Sequence, residues 1–83
     1  MIDEQIKAVV LRMLGNIAPE AELDQIDPAV DLREQLDLDS MDILNLMIGI
    51  HDATGVDIPE ADYSQLASLN DAVAYLRPRV PGA

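Results

Sequence analysis

Ile6, Val9, Val10, Met13, Leu14 and Ile17 recur at intervals of three and four, with Gln5, Lys7 and Arg12 lying off that stripe. This spacing gathers apolar side chains on one side of a helix and predicts an amphipathic first element packed against a core. Asp3 is placed to cap its start and Gly15-Asn16 to stop it. From Asn16 to Asp37 the period fails, because Pro19, Pro28 and many acids interrupt it. Leu23, Ile26, Val30, Leu32 and Leu36 recur there as anchors, so the segment reads as an ordered loop with one or two short turns. So long a connection in a compact domain signals function or a mistaken assignment.

A second helix is predicted from Ser40 to Ala53, capped by Asp39 or Ser40 and ended by Thr54-Gly55. At about 100° per residue, Ile43, Leu46, Met47 and Ile50 share one face. Met41, Leu44 and Ile48 cluster nearly opposite, bordered by Asp42, Asn45 and Asp52. A helix with two apolar faces is either buried all round or offers its second face to a partner. Val56-Asp57-Ile58-Pro59 should be extended, since Pro59 disfavours helix at the residue before it. A short third helix follows over Glu60 to Leu66. Ser68 and Asp71 form a capping box for a last helix through Leu76, burying Leu69, Ala72, Val73 and Leu76. Tyr63 and Tyr75 read as packing residues. The fold class is all-α: a four-helix bundle of three main helices and one short one, with a long loop between the first two. Residues 1–77 form the domain, and 78–83, with Pro78 and Pro81-Gly82, a flexible C-terminal tail.

Composition narrows the function. The chain has no Cys and one His, so its own side chains supply no thiol. Sixteen acids against five bases give a formal net charge of −11, which repels nucleic acid and anionic membranes and attracts basic protein surfaces. Met1-Ile2-Asp3-Glu4 lacks a basic signal-like start, and Ile43 to Ile50 is too short to span a bilayer. The expectation is a cytoplasmic monomer without membrane insertion.

The candidate chemistry gathers at Asp39-Ser40-Met41-Asp42. A hydroxyl at a helix start lies where free backbone N–H groups and the macrodipole favour a phosphate. His51 lies eleven residues on, roughly 16 Å along the same helix at 1.5 Å per residue, so no Ser–His couple forms. Asp37, Asp39 and Asp42 suggest a calcium loop, but that motif needs Gly at Asp42 and Glu at Ile48. No catalytic residue and no metal site are expected, and the plain alternative for Ser40 is a helix cap.

Leu36-Asp37-Leu38-Asp39-Ser40-Met41-Asp42, then Gly55-Val56-Asp57-Ile58-Pro59, then Asp71-Ala72-Val73-Ala74-Tyr75-Leu76 resemble, in order, the pattern of the acyl carrier proteins. That pattern reads Leu-Gly-x-Asp-Ser-Leu-Asp, Gly-x-x-Ile-Pro and Asp-Ala-Val-x-Tyr-Ile/Leu. The resemblance implies a non-enzymatic carrier whose Ser40 receives 4′-phosphopantetheine covalently from coenzyme A through a phosphopantetheinyl transferase. The arm would hold acyl intermediates as thioesters for fatty-acid, lipid or polyketide-type biosynthesis. Partners would be acyl ligases, synthases or acyltransferases with basic docking patches, meeting Asp39, Met41, Asp42, Leu44, Ile48 and Asp52. The sequence departs from the pattern at Asp37, where glycine is usual, and at Met41, where leucine is. Asn45 and His51 replace common acids, which leans toward a specialised carrier. An aminoacyl or peptidyl carrier loaded by an adenylating ligase shares the same serine and arm. An unmodified acidic helical adaptor is the alternative of a different class.

Overall fold

The computed structural model describes residues 1–81. Among them the chain forms α1 (Asp3–Ile17), a short turn of 3-10 helix (Leu23–Gln25), α2 (Leu32–Gln35), α3 (Ser40–Thr54), a 3-10 helix (Glu60–Leu66) and α4 (Leu69–Leu76). The predicted second helix is α3, the short third is the 3-10 helix Glu60–Leu66, and the last is α4. These four make the bundle, and no described helix is long and apolar enough to cross a membrane.

The core follows the apolar stripes. Ile6, Val10 and Leu14 of α1 meet Leu46, Met47 and Ile50 of α3 and Leu69, Ala72 and Leu76 of α4, all buried. The α1–α3 approach is close: a Cβ added at Gly49 would lie 2.7 Å from Met13 Sδ. Buried aliphatic side chains contribute roughly 1.5–3 kcal/mol each, so these stripes hold the bundle together.

Two details of α1 differ from expectation. Its N-cap is Ile2, not Asp3, and the cap is supplied from within the helix, by Gln5 Oε1 accepting the Ile2 N–H at 3.0 Å. Asp3 is instead paired with Arg77, whose Nε and Nη2 each donate to its carboxylate at 2.8 Å. That hydrogen bond holds the Asp3 carboxyl below its ordinary value and ties the two ends of the chain together. Nor does the helix stop at Gly15-Asn16; it runs on to Ile17. Gly15 serves packing, since a Cβ there would meet Leu23 Cδ1 at 3.2 Å.

The connection from α1 to α3 is pinned by backbone and side-chain bonds. The Leu32 N–H donates to the Ala67 carbonyl at 2.8 Å, and the Asn70 N–H to the Pro28 carbonyl at 3.0 Å. Gln35 stitches the segment internally, donating to the carbonyls of Asp27 and Val30 and accepting from the Asp27 N–H. Leu32 is fully buried and Leu23, Ile26 and Leu36 are partly buried, but the expected anchor Val30 is exposed. The Gln35 amide bonds the carbonyl of Val30, so it is this residue's backbone that the loop uses.

At the other end, Ser68 Oγ accepts the Asp71 N–H at 3.1 Å and starts α4. Tyr75 is buried and donates its hydroxyl to Asp62 at 2.8 Å, while Val73 is only half-buried. The expected tail is held further than its prolines suggest. The N–H groups of Arg79 and Val80 donate to the Leu76 carbonyl, and Val80 is buried in the core. Residues 82–83 of that expected tail lie outside the described residues.

Asp37 takes a left-handed φ of 53°. It follows α2 at the position where helices usually place glycine, and the Leu38 N–H closes the turn by donating to the Arg33 carbonyl at 3.0 Å. The left-handed conformation costs an ordinary residue roughly 1–2 kcal/mol, less for Asp, while glycine loosens the unfolded chain by about 0.4–1 kcal/mol. Replacing Asp37→Gly therefore stabilises the fold, with a rise in melting temperature of about 2–4 °C for a domain of this size. Thermal unfolding followed by circular dichroism measures it; a lower melting temperature would show that the Asp37 side chain holds the turn.

Candidate functional site

Helix α3 begins with a reciprocal cap. Asp39 is the N-cap, extended at φ −95° and ψ −179°, and its Oδ1 accepts the Asp42 N–H at 2.9 Å. Asp42 Oδ2 in turn accepts the Asp39 N–H at 3.2 Å. Two of the backbone donors a helix start leaves without partners are thereby satisfied by carboxylates, each also favourably placed in the macrodipole.

Ser40 is the first residue inside the helix, so the capping position is already filled by its neighbour. Its side chain is exposed, and among the described residues its hydroxyl makes no hydrogen bond to the chain. The N–H groups of Ser40 and Met41 belong to the first turn and have no intrahelical acceptor. Helix capping therefore does not explain Ser40.

Ser40 borders a groove of about 450 Å³ with Arg33, Met41, Ile43, Leu44, Glu60 and Tyr63. A second cleft, of about 260 Å³, lies between α3, α2 and the 3-10 helix Glu60–Leu66. Leu32, Leu46, Met47 and Leu66 line it, and Arg33, Ile43 and Tyr63 border both spaces. The groove at Ser40 and this inner cleft are therefore neighbours that share three lining side chains.

The remaining sequence candidates divide cleanly. Leu46, Met47 and Ile50 face the core, whereas Met41, Leu44 and Ile48 are 62%, 38% and 48% exposed. Asp39 and Asp52 are exposed beside them, and Asp42 is half-buried by its cap. Leu44, Ile48 and Asp52 share one side of α3 at intervals of four, and Met41 stands one turn before Leu44. His51 lies away from Ser40; its Nδ1 meets the Val56 carbonyl at 2.8 Å and Asp57 Oδ1 at 3.6 Å, steadying the chain after the left-handed cap at Gly55, φ 75°.

Arg33, Glu60 and Tyr63 were not among the expected site residues. Arg33 had a signal in the sequence: it is the only Lys or Arg between Arg12 and Arg77. Glu60 and Tyr63 had none, because only folding brings the 3-10 helix against the start of α3.

Residues 4–76 match the family model described as a phosphopantetheine attachment site. The chain is 32% identical to an acyl carrier protein of Campylobacter hominis over 73 residues, covering 88% of this chain and 86% of that one. It is 30% identical to that of Zymomonas mobilis, covering 88% and 87%, and 26% identical to that of Nitratidesulfovibrio vulgaris, covering 92% and 93%. In fold it is similar to the solved acyl carrier protein from Enterococcus faecalis, with a TM-score of 0.80 over 95% of this chain and 99% of that one at 22% identity.

The two faces of α3 give opposite mutational outcomes. Met41→Ala should change stability by no more than about 0.5 kcal/mol, as at other exposed positions, while Leu46→Ala should cost about 2–5 kcal/mol. Urea unfolding of both variants checks this; a Met41→Ala loss of comparable size would make the outer face part of the core.

Proposed function

The chain belongs to the phosphopantetheine attachment-site family, and from that premise we propose that Ser40 is the residue that takes the arm. As a family member it is an acyl carrier protein, a carrier and not an enzyme, with covalently bound 4′-phosphopantetheine as its cofactor. The observation that supports Ser40 is that its exposed hydroxyl is released from capping by Asp39.

The residues around Ser40 suit the group. A phosphodiester on its Oγ would lie beside the unpartnered N–H groups of Ser40 and Met41, where the helix dipole favours negative charge by about 0.3–1 kcal/mol at an exposed site. The terminal thiol of the bound arm supplies the thioester chemistry that a chain without cysteine lacks. Met41, Ile43, Leu44 and Tyr63 offer an apolar wall to whatever follows the phosphate, and the cleft lined by Leu32, Leu46, Met47 and Leu66 can shield a carried aliphatic chain from water.

Tethering is the mechanism we assign. Binding the intermediate to a flexible arm makes each later encounter local and raises its effective concentration. The family works with a phosphopantetheinyl transferase and with biosynthetic enzymes. For this chain we assign fatty-acid, lipid or polyketide-type synthesis, with partners that dock basic patches on Asp39, Asp42 and Asp52 and cover Met41, Leu44 and Ile48. A charge of −11 accelerates such encounters and makes them salt-sensitive.

Incubation with coenzyme A and a broad-specificity phosphopantetheinyl transferase tests the assignment. Intact mass should rise by one phosphopantetheine, and Ser40→Ala should abolish the gain while keeping the helical spectrum. An unchanged mass of the wild-type chain, or a gain that survives Ser40→Ala, would refute it.

A further inference from the structure

We infer that Arg33 is the positioning residue for the phosphodiester at Ser40, gripping its non-bridging oxygens and setting the arm at the mouth of the inner cleft. The inference rests on the assignment of Ser40 and adds a residue that the acyl-carrier motif does not contain.

Position is the first ground. Arg33 lies in α2, and its carbonyl accepts the Leu38 N–H at 3.0 Å, so the backbone that carries it is locked to the residue two before Ser40. Its side chain borders the groove at Ser40 and also the deeper cleft, together with Ile43 and Tyr63. A group there is within the wall of the groove that Ser40 opens onto and also faces the apolar cleft beside it.

Charge is the second. From Arg12 to Arg77 no other Lys or Arg occurs, yet the chain carries sixteen acids. Arg77 is bound to Asp3, and Arg79 lies 3.9 Å over the Tyr75 ring and donates to the Tyr75 carbonyl. Among the described residues Arg33 makes no ion pair and no side-chain hydrogen bond, although Glu60 lines the same groove. Lys7 and Arg12, both on α1, are likewise without an ion pair among the described residues. Arg33, however, is the cation that lines the groove at Ser40 and is available there to another anion.

Need is the third. A phosphodiester keeps its negative charge throughout the physiological range, and at Ser40 it adjoins the carboxylates of Asp39 and Asp42. The exposed first turn offsets that repulsion only weakly. The planar guanidinium presents two N–H donors that match two phosphate oxygens, a geometry an ammonium does not offer. The plain role for Arg33, offsetting the dipole at the end of α2, operates equally with or without the arm.

The test compares wild type and Arg33→Ala, each before and after modification. At low salt, attachment should lower the melting temperature of Arg33→Ala by about 2–4 °C more than that of wild type, and the excess should shrink at high salt. In wild type the Arg33 Nε–H proton resonance should move on attachment. If the mass rises normally but the two proteins respond alike and that resonance stays in place, Arg33 does not grip the phosphate, and the assignment of Ser40 stands. An unchanged mass would remove both.

Discussion

Among the contacts that shape this molecule, the exchange of hydrogen bonds between Asp39 and Asp42 sets the terms for the rest. A helix start must satisfy its first N–H groups, and serine is among the residues that ordinarily do so with their own hydroxyls. Here a carboxylate on each side of Ser40 takes that task, at 2.9 and 3.2 Å. The serine is thereby carried into the first turn with a rigid backbone and an unengaged side chain. Rigidity and availability are the two properties that our proposal asks of an attachment point, and one capping box supplies both.

The rest of the fold presents this point. The connection before it is held by Gln35, by the Leu32–Ala67 and Asn70–Pro28 backbone bonds and by the turn at Asp37, so α3 starts at a defined place. The inner face of α3 packs into the core, chiefly against α1, and its outer apolar residues Met41, Leu44 and Ile48 stay exposed. That face is bordered by acids; under the proposed function their charge draws basic partners and also works against adding a phosphate. Under the same proposal Arg33 is the residue that reconciles those opposing requirements.

Much of this was legible in the chain, and the exceptions have a shared cause. The stripes of α1 and α3 follow from periodicity because burial selects side chains by face. The Ser68 cap of α4 and the end of α3 at Gly55 were readable because both are local devices, although Asp71 does not return the bond that the expected capping box requires. Gly15 misled because glycine serves both as a helix stop and as a place for close approach, and only the position of Leu23 distinguishes them. Asp3 misled in the same way, its carboxylate being claimed by Arg77 from the far end of the chain. Val30 and Val80 exchanged their expected burial because nothing local reveals which aliphatic the core reaches. For Asp37 the departure from glycine was visible in the sequence, but its left-handed backbone was not.

The most direct measurement is amide hydrogen exchange at Asp42 in three proteins: wild type, Ser40→Ala and Asp39→Ala. If Asp39 is the cap and Ser40 is free, Ser40→Ala keeps the Asp42 amide as protected as in wild type, and Asp39→Ala loses that protection with about 1 kcal/mol of stability. If Ser40→Ala loses the protection and Asp39→Ala does not, the serine is the cap after all, and the release of its hydroxyl, on which the account depends, is contradicted.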